Sequence, residues 1–549
     1  HLSATLPDCD GACDRTVSGR EERFGMLLSA ACRQTKQAIP PAFETWKQCF
    51  SASSSRYSEK LTSAKPFSEV PRIPSLPIVG SSWIYFPVLG RYDIRKQNEA
   101  SWDMYQRYGP VVGEQLPGRR VLVHLFNADD IRTLYQEEGR MPYRMGALPF
   151  KLYHTERKEY FANSGILNAQ EEEWHGIRKT VQPCTFRPRT IQLYAEAMGQ
   201  IAEDALELIA SDRDENGDVS DCYEIMQRWA LESVMFVSLD RRLGLLVNPL
   251  PPESDAAGIL KGIFTLFSCM DKLVTRFPYY RYFPTPTIRS FQRAGDYLVS
   301  SMFRMIKEAA EEDESKHESS QNCTILRHLY NQQKMDFKEM FTFLHDFVIG
   351  GTDTTSGAAT YTLSKLAMNP AAQEKARQEV LAATKDCSGT FPAHIHDQLH
   401  YVRACIKEAL RFHPIIPGVN RKINHDVVMS GYCIPANTVL KTEPFVAGRL
   451  EENFTRASEF LPERWLRSSD DNSGKTNDGT WQLHPFASLP FSIGPRMCIG
   501  RRVAEMEITI LVAKVLKRYR VENHHGDIGF LTQFSGKPER PAKFRFVEL

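Results

Sequence analysis

The stretch that most constrains this chain is Phe491-Ser492-Ile493-Gly494-Pro495-Arg496-Met497-Cys498-Ile499-Gly500. Two glycines and a proline make it a tight loop, and a helical pattern opens at Val503-Ala504-Glu505-Met506 and lasts to about Tyr519. Cys498 therefore stands just ahead of a helix N-terminus. That end of a helix carries partial positive charge and unpaired N–H groups, so it predicts a lowered thiol pKa and favours the metal-binding thiolate. A lone cysteine beside a loop is more often an inert buried side chain, and the surrounding residues must decide.

The pattern Phe-x-x-Gly-x-Arg-x-Cys-x-Gly closely resembles the haem-binding loop of the cytochromes P-450. The resemblance implies haem b as cofactor with the Cys498 thiolate as its axial iron ligand. It also implies that Phe491 packs near the sulfur, that Gly494 and Gly500 let backbone N–H groups point at it, and that Arg496 pairs with a haem propionate. A thiolate ligand pushes electron density onto iron and favours O–O cleavage, so the implied chemistry is oxygen activation.

A second strong signal lies upstream. Asp336 with Glu339 makes a capping-box start, helical character runs to Met368, and Asn369-Pro370 opens the next helix. At 1.5 Å per residue such a helix is roughly 48 Å long. Gly350 and Gly351 stand in its middle, where each costs about 1 kcal/mol against alanine. Close packing of a neighbouring helix would account for them, and so would space for a ligand. With Thr352-Asp353-Thr354-Thr355 following, the segment resembles the family's oxygen-activating helix. The glycines would then admit dioxygen and water, Thr354 would hydrogen-bond the oxygen being activated, and Asp353 would help relay protons.

Three weaker patterns gain meaning from their order. Trp174 and Arg178 are four apart on one helix face and resemble the family's propionate-binding helix. Glu408 and Arg411, on a helix that Pro414 terminates, join Arg464 of Pro462-Glu463-Arg464-Trp465 in resembling the cluster that holds the haem-binding core. Ile415-Ile416-Pro417-Gly418-Val419 should face the cofactor pocket. Gly418 occupies a position where some relatives carry a basic propionate partner, for which Arg421 is the substitute at hand. Phe343, Phe347, Gly350, Gly351, Ile415, Ile416 and Phe534 are the expected substrate-pocket lining, apolar enough for a sterol, secosteroid or xenobiotic.

The resemblance covers Pro66 to Leu549. It implies a mainly α fold, a helical prism with small β-sheets, with haem between the long central helix and the Cys498 loop. Val111-Val112-Gly113-Glu114-Gln115 and Val121-Leu122-Val123-His124-Leu125, separated by Pro117-Gly118, read as a hairpin. A net charge of +1 implies no nucleic-acid partner. Twelve cysteines are scattered without C-x-x-C or zinc spacing, which argues against a disulfide framework.

Residues 1–65 read as a targeting segment, disordered or cleaved, ahead of one catalytic domain over 66–549. Asp8, Asp10, Asp14, Glu21 and Glu22 are wrong for an organelle presequence. From Met26, a basic, Ser-rich run with only Glu44 and Glu59 as acids up to Lys65 has the composition of a mitochondrial transit peptide. Translation from Met26 is the expectation, and a tail without a targeting role is the alternative. The proline-rich stretch 66–77 marks the boundary. No window reaches the eighteen or so apolar residues of a membrane span, so no N-terminal anchor is expected.

The implied reaction is monooxygenation, in which substrate, dioxygen, two electrons and two protons give hydroxylated product and water. The subgroup resembles the mitochondrial class of animal enzymes, through Arg501-Arg502 after the ligand loop and Tyr282-Phe283-Pro284-Thr285-Pro286. The chain has no G-x-G-x-x-G and no iron–sulfur motif, so electrons must come from a partner. The resemblance implies a 2Fe–2S ferredoxin reduced by an NADPH-dependent ferredoxin reductase on the matrix side of the inner membrane. Arg403, Lys407, Lys422, Arg501 and Arg502 are the expected docking cations, Arg403 and Lys407 being four apart on one helix face. Phe264, Phe267, Phe277, Tyr279, Tyr280, Tyr282 and Phe283 would lie near the substrate entrance, their tip making peripheral membrane contact. A same-fold isomerase or dehydratase, and a non-catalytic haem sensor, are the alternatives. Asp353-Thr354 argues for the oxygenase over the isomerase.

Overall fold

The long helix Phe337–Met368 organises the fold, and its first turn shows why it starts where it does. The Asp336 carboxylate accepts from the Glu339 N–H at 2.8 Å, while the Glu339 carboxylate accepts from the Asp336 N–H at 2.9 Å. Pro370 opens the next helix, Pro370–Ala383. Phe341, Phe343, Leu344, Val348, Tyr361, Leu363 and Leu366 are buried on all sides of the long helix, which marks it as the central element of the core rather than a surface helix. The helices Cys222–Leu239, His400–Phe412 and Arg501–Arg518 pack against it.

This computed structural model describes residues 61–86, 88–117, 120–187, 192–275, 278–315, 325–332, 334–385, 391, 395–466 and 483–549. The chain divides into two units, His1–Lys65 and Pro66–Leu549, and the core helices and all the strands belong to the second. The transit-peptide reading, with its start at Met26, falls on residues outside those described, and so does Phe277.

The strands are β1 (Val111–Gln115), β2 (Val121–Leu125), β3 (Asp218–Val219), β4 (Asn420–Lys422), β5 (Val427–Met429), β6 (Tyr432–Ile434), β7 (Val439–Thr442), β8 (Tyr519–Glu522), β9 (Leu531–Thr532), β10 (Gly536–Lys537) and β11 (Phe544–Glu548). β1 and β2 form the expected hairpin with Val111 opposite Leu125, and the largest sheet runs β1-β2-β7-β4. Alternation along β4 turns Arg421 inward between half-buried neighbours. The turn between β9 and β10 carries Phe534 and Ser535.

Glu408, Arg411 and Arg464 meet in one buried cluster. The Glu408 carboxylate accepts from Arg411 Nε (2.9 Å) and Nη2 (2.8 Å), Arg464 Nε (3.1 Å), Trp465 Nε1 (2.8 Å) and the Leu461 N–H (3.0 Å). Arg411 Nη1 donates to the Gly448 and Ala457 carbonyls at 2.6 and 2.8 Å. Every charge here has a partner, which is the condition under which a buried ion pair holds two segments together. The cluster ties the helix His400–Phe412 to the segment ahead of the Cys498 loop.

Among the described residues no helix is long and apolar enough to cross a membrane. Cys184, Cys222, Cys269, Cys405, Cys433 and Cys498 are free thiols.

Candidate active site

The 491–500 loop closes on itself: the Cys498 N–H donates to the Phe491 carbonyl at 2.9 Å and the Met497 N–H to the Gly494 carbonyl at 3.1 Å. The helix Arg501–Arg518 follows directly, capped by Gly500. Gly500 supplies a backbone N–H to the sulfur, and Gly494 meets a conformational need of the loop. Its φ is +74°, and a Cβ there would lie 2.4 Å from Glu138 Oε1. The predicted direction of the Cys498 pKa is corrected. Burial comes first and pushes the thiol up, with the Gly500 N–H, Arg178, Arg144 and Arg501 pulling it back only in part. A helix N-terminus does not outweigh desolvation here, and a bound metal ion, which deprotonates a coordinating thiol, would supply the missing push toward the thiolate.

Cys498 is enclosed by protein yet retains free surface, because it forms part of the wall of a cavity of ≈ 280 Å³. Phe347, Gly350, Gly351, Thr354 and Thr355 of the central helix face the same cavity, as do Ile415, Ile416, Phe534, Trp174, Arg178, Phe491 and Arg496. Phe343 does not. It lies one turn earlier, buried, with its ring 5.8 Å from that of Phe347, so its expected place in the lining is corrected to core packing. The two explanations for the glycine pair are divided between them. A Cβ on Gly351 would meet Val234 Cγ2 at 2.8 Å, so this glycine admits the helix Cys222–Leu239, whereas a Cβ on Gly350 would meet nothing within 4 Å.

Four arginines converge on the cavity: Arg144, Arg178, Arg421 and Arg496. Glu138 is the carboxylate among them, accepting from Arg421 Nε at 2.5 Å. Arg178 donates to the Met497 carbonyl at 2.9 Å and to Gln182 at 3.1 Å. The Arg496 guanidinium stacks 4.2 Å from the Trp174 ring centroid and donates to the Pro142 and Ala169 carbonyls at 2.9 and 2.8 Å. Its Nη1 is buried with no partner. Burial presses the Arg496 pKa down to about 9, helped by Arg144 and Arg421, and the Arg178 pKa down to about 10. Arg144 is lowered by burial and by Arg421. Buried cations this short of counter-charge fit an anionic ligand, and a thiol on the cavity wall fits a metal centre. Haem, with an iron and two carboxylates, supplies both. Arg144 and Glu138 went unnoticed in the sequence, where a loop arginine and a helix-end glutamate carry no distinguishing pattern.

The groups placed in proton transfer sit differently from one another. The Thr354 hydroxyl lines the cavity and donates to the Gly350 carbonyl at 2.7 Å. Asp353 does not line it. Its carboxylate accepts from the Tyr223 hydroxyl at 3.0 Å and from Ser535, and burial raises its pKa. Ser535 does reach the cavity. On the other side, Thr355 donates at 3.2 Å to Glu507, whose pKa burial pushes up to about 8 and whose Oε2 is buried without a partner.

Behind the ligand loop lies a surface groove of ≈ 180 Å³ lined by Arg403, Lys407, Arg501, Glu505, Trp465 and Phe491 among others. Phe491 also lines the cavity, so the loop itself is the wall between the two. Arg501 pairs with Glu505 at 3.0 Å, and Lys407 lies 5.9 Å from the Trp465 ring centroid. Arg502 is exposed but not part of the groove. Lys422 is outside it as well, on β4 with its ammonium 4.5 Å from the Tyr143 ring centroid.

A thiol on the wall of an apolar cavity, ringed by arginines with too little counter-charge, defines a thiolate-ligated haem enzyme. Comparison with known proteins agrees. The cytochrome P-450 family profile matches residues 74–546. The Drosophila melanogaster protein named probable cytochrome P-450 12a5, mitochondrial, is 32% identical over 523 residues, which cover 92% of this chain and 95% of that protein. Probable cytochrome P-450 301a1, mitochondrial, of the same fly is 29% identical over 556 residues, covering 100% and 97%. Probable cytochrome P-450 49a1 is 32% identical over 501 residues, covering 89% and 84%. The chain belongs to the cytochrome P-450 family and is a haem-binding monooxygenase of mainly α fold.

Proposed function

We propose that this enzyme oxygenates a lipophilic substrate of the sterol, secosteroid or xenobiotic kind with electrons from a 2Fe–2S ferredoxin, in mitochondria, on the matrix side of the inner membrane. The basic groove behind the Cys498 loop carries the reading, because it sets three cations against one carboxylate on the far side of the wall that bears the ligand. Complementary charge of this kind speeds the encounter with an acidic partner. The word mitochondrial in the names of two relatives supports the compartment, and the expected transit segment over residues 1–65 belongs to the same reading. Tyr279, Tyr282 and Phe283, exposed at 59%, 68% and 67%, form an apolar tip suited to peripheral contact with a bilayer.

Haem, when bound, supplies the dioxygen activation that a thiolate ligand favours. Cys498 would hold its iron, and Arg496 and Arg178, with Arg144 and Arg421 beside them, would hold its carboxylates. Phe347, Ile415, Ile416 and Phe534 exclude water and seat the substrate. The Thr354 hydroxyl spends its proton on the Gly350 carbonyl, which leaves its lone pairs to accept from a donor in the cavity. Asp353, kept protonated more readily by burial, is joined to the cavity by Ser535, so a proton held on that carboxyl has a hydroxyl through which to leave.

Charge reversal tests the partner. Arg403→Glu with Lys407→Glu lowers ferredoxin-supported turnover about tenfold or more, and wild-type turnover falls with added salt, which screens exposed pairs over about 10 Å at 0.1 M. Peroxide-supported turnover, which needs no donor, survives. Unchanged, salt-insensitive ferredoxin kinetics in the double variant would place the docking face elsewhere.

A further inference from the structure

His154 on the helix Leu148–Glu156, with His345 and Asp346 on the central helix, is buried beside the cavity, and none of the three has a role in the chemistry above. His154 Nε2 and His345 Nδ1 each stand 3.7 Å from Asp346 Oδ1, beyond hydrogen-bonding distance. Both His345 ring nitrogens and Asp346 Oδ2 are buried with no hydrogen-bond partner, and His154, equally buried, has only the Ser164 backbone within reach. Interiors leave few such atoms, and this many on adjoining side chains call for a polar occupant. Among the described residues, the ion-pair partners of Asp346 are these two histidines alone.

The arrangement is also held in place. The Phe161 ring stacks on His154 with centroids 3.9 Å apart and meets His345 edge-on at 5.1 Å, which fixes both imidazoles. Gly165, at φ +78°, leaves the carboxylate its room, since a Cβ there would lie 2.2 Å from Asp346 Oδ2. One ligand atom from each of the three lies within 4.8 Å of the others. Donors about 2.0–2.1 Å from a tetrahedral ion stand about 3.4 Å apart, which the 3.7 Å spacing of each histidine from Asp346 approaches.

We propose that His154, His345 and Asp346 bind one zinc ion, distinct from the haem iron, that ties the helix Leu148–Glu156 to the central helix. Two imidazoles and a carboxylate suit zinc, and the ion's charge answers that of the buried Asp346. Because Asp346 also lines the cavity, the ion would border the substrate site.

The test uses the haem-loaded full chain, free of any histidine tag, dialysed against zinc and a weak competing chelator. Elemental analysis should give about one zinc per haem iron in the wild type and about none in a His154→Gln, Asp346→Asn variant. Zinc should raise the melting temperature of the wild type only, and a strong chelator should reverse the rise. Equal zinc in both proteins, or none in the wild type, overturns the site. Should the variant not fold, anomalous diffraction at the zinc edge on the wild type decides: a peak among the three side chains supports the proposal, and none there refutes it.

Discussion

Arg411 and Arg464 are buried as deeply as Arg178 and Arg496, yet the two pairs live in opposite electrostatic circumstances. Glu408 meets both members of the first pair, with a tryptophan N–H and a backbone N–H completing its shell. The second pair leans on backbone carbonyls and on Gln182 and Gln170, leaves Arg496 Nη1 without a partner, and has pKa values pressed down to about 10 and 9; burial lowers Arg464 as well, but there Glu408 pulls back. Charge balanced inside the chain is scaffold. Charge left short of partners around a cavity is the imprint of a ligand that brings the missing anions.

That contrast predicts opposite responses. Glu408→Ala strands two buried cations and should cost about 3–5 kcal/mol, read as a large loss in denaturant midpoint or of soluble protein altogether. A variant as stable as the wild type would erase the distinction. Arg496→Leu should cost the apoprotein less than Glu408→Ala, because it strands no buried cation, although the Pro142 and Ala169 carbonyls lose their donor. Haem affinity should fall about 10- to 100-fold, the worth of a charge-assisted hydrogen bond, measured by haem transfer to a scavenger globin. Equal haem retention would show that the arginines are not the carboxylate site.

Glu507 sharpens the comparison, since its imbalance is met by a proton. Its folded pKa of about 8 lies above the ordinary 4.5, so the folded state holds the proton more tightly than the unfolded chain. The contribution is complete below about pH 4.5 and is lost as pH rises through about 8. Relative to Glu507→Gln, the wild type should lose up to about 1.4 kcal/mol of stability per pH unit across that window. Parallel pH profiles for the two proteins would mean that Glu507 is not buried as a neutral acid.

Local rules made much of this legible in the sequence. The reciprocal cap at Asp336 and Glu339, the β1–β2 hairpin and the loop ahead of Arg501 each follow from a few neighbouring residues, and each is present. Site features set by distant chain were harder to read. Whether Gly350 or Gly351 opened space depended on Val234, and Asp353 is drawn from the cavity by Tyr223 and Ser535. The Cys498 pKa turned on burial that no local pattern reports. Arg144, Glu138 and the His154 cluster belong to the same class, because chain segments far apart in sequence bring them together.

The central claim is that Cys498 is the axial thiolate, and the absorption spectrum of the reduced, carbon-monoxide-bound protein tests it most directly. The wild type should show the red-shifted band of a thiolate complex. Cys498→Ala should lose that band, since Met497, the adjoining sulfur, is a neutral thioether and cannot replace an anionic ligand. A Cys498→Ala protein that kept the band would contradict the account.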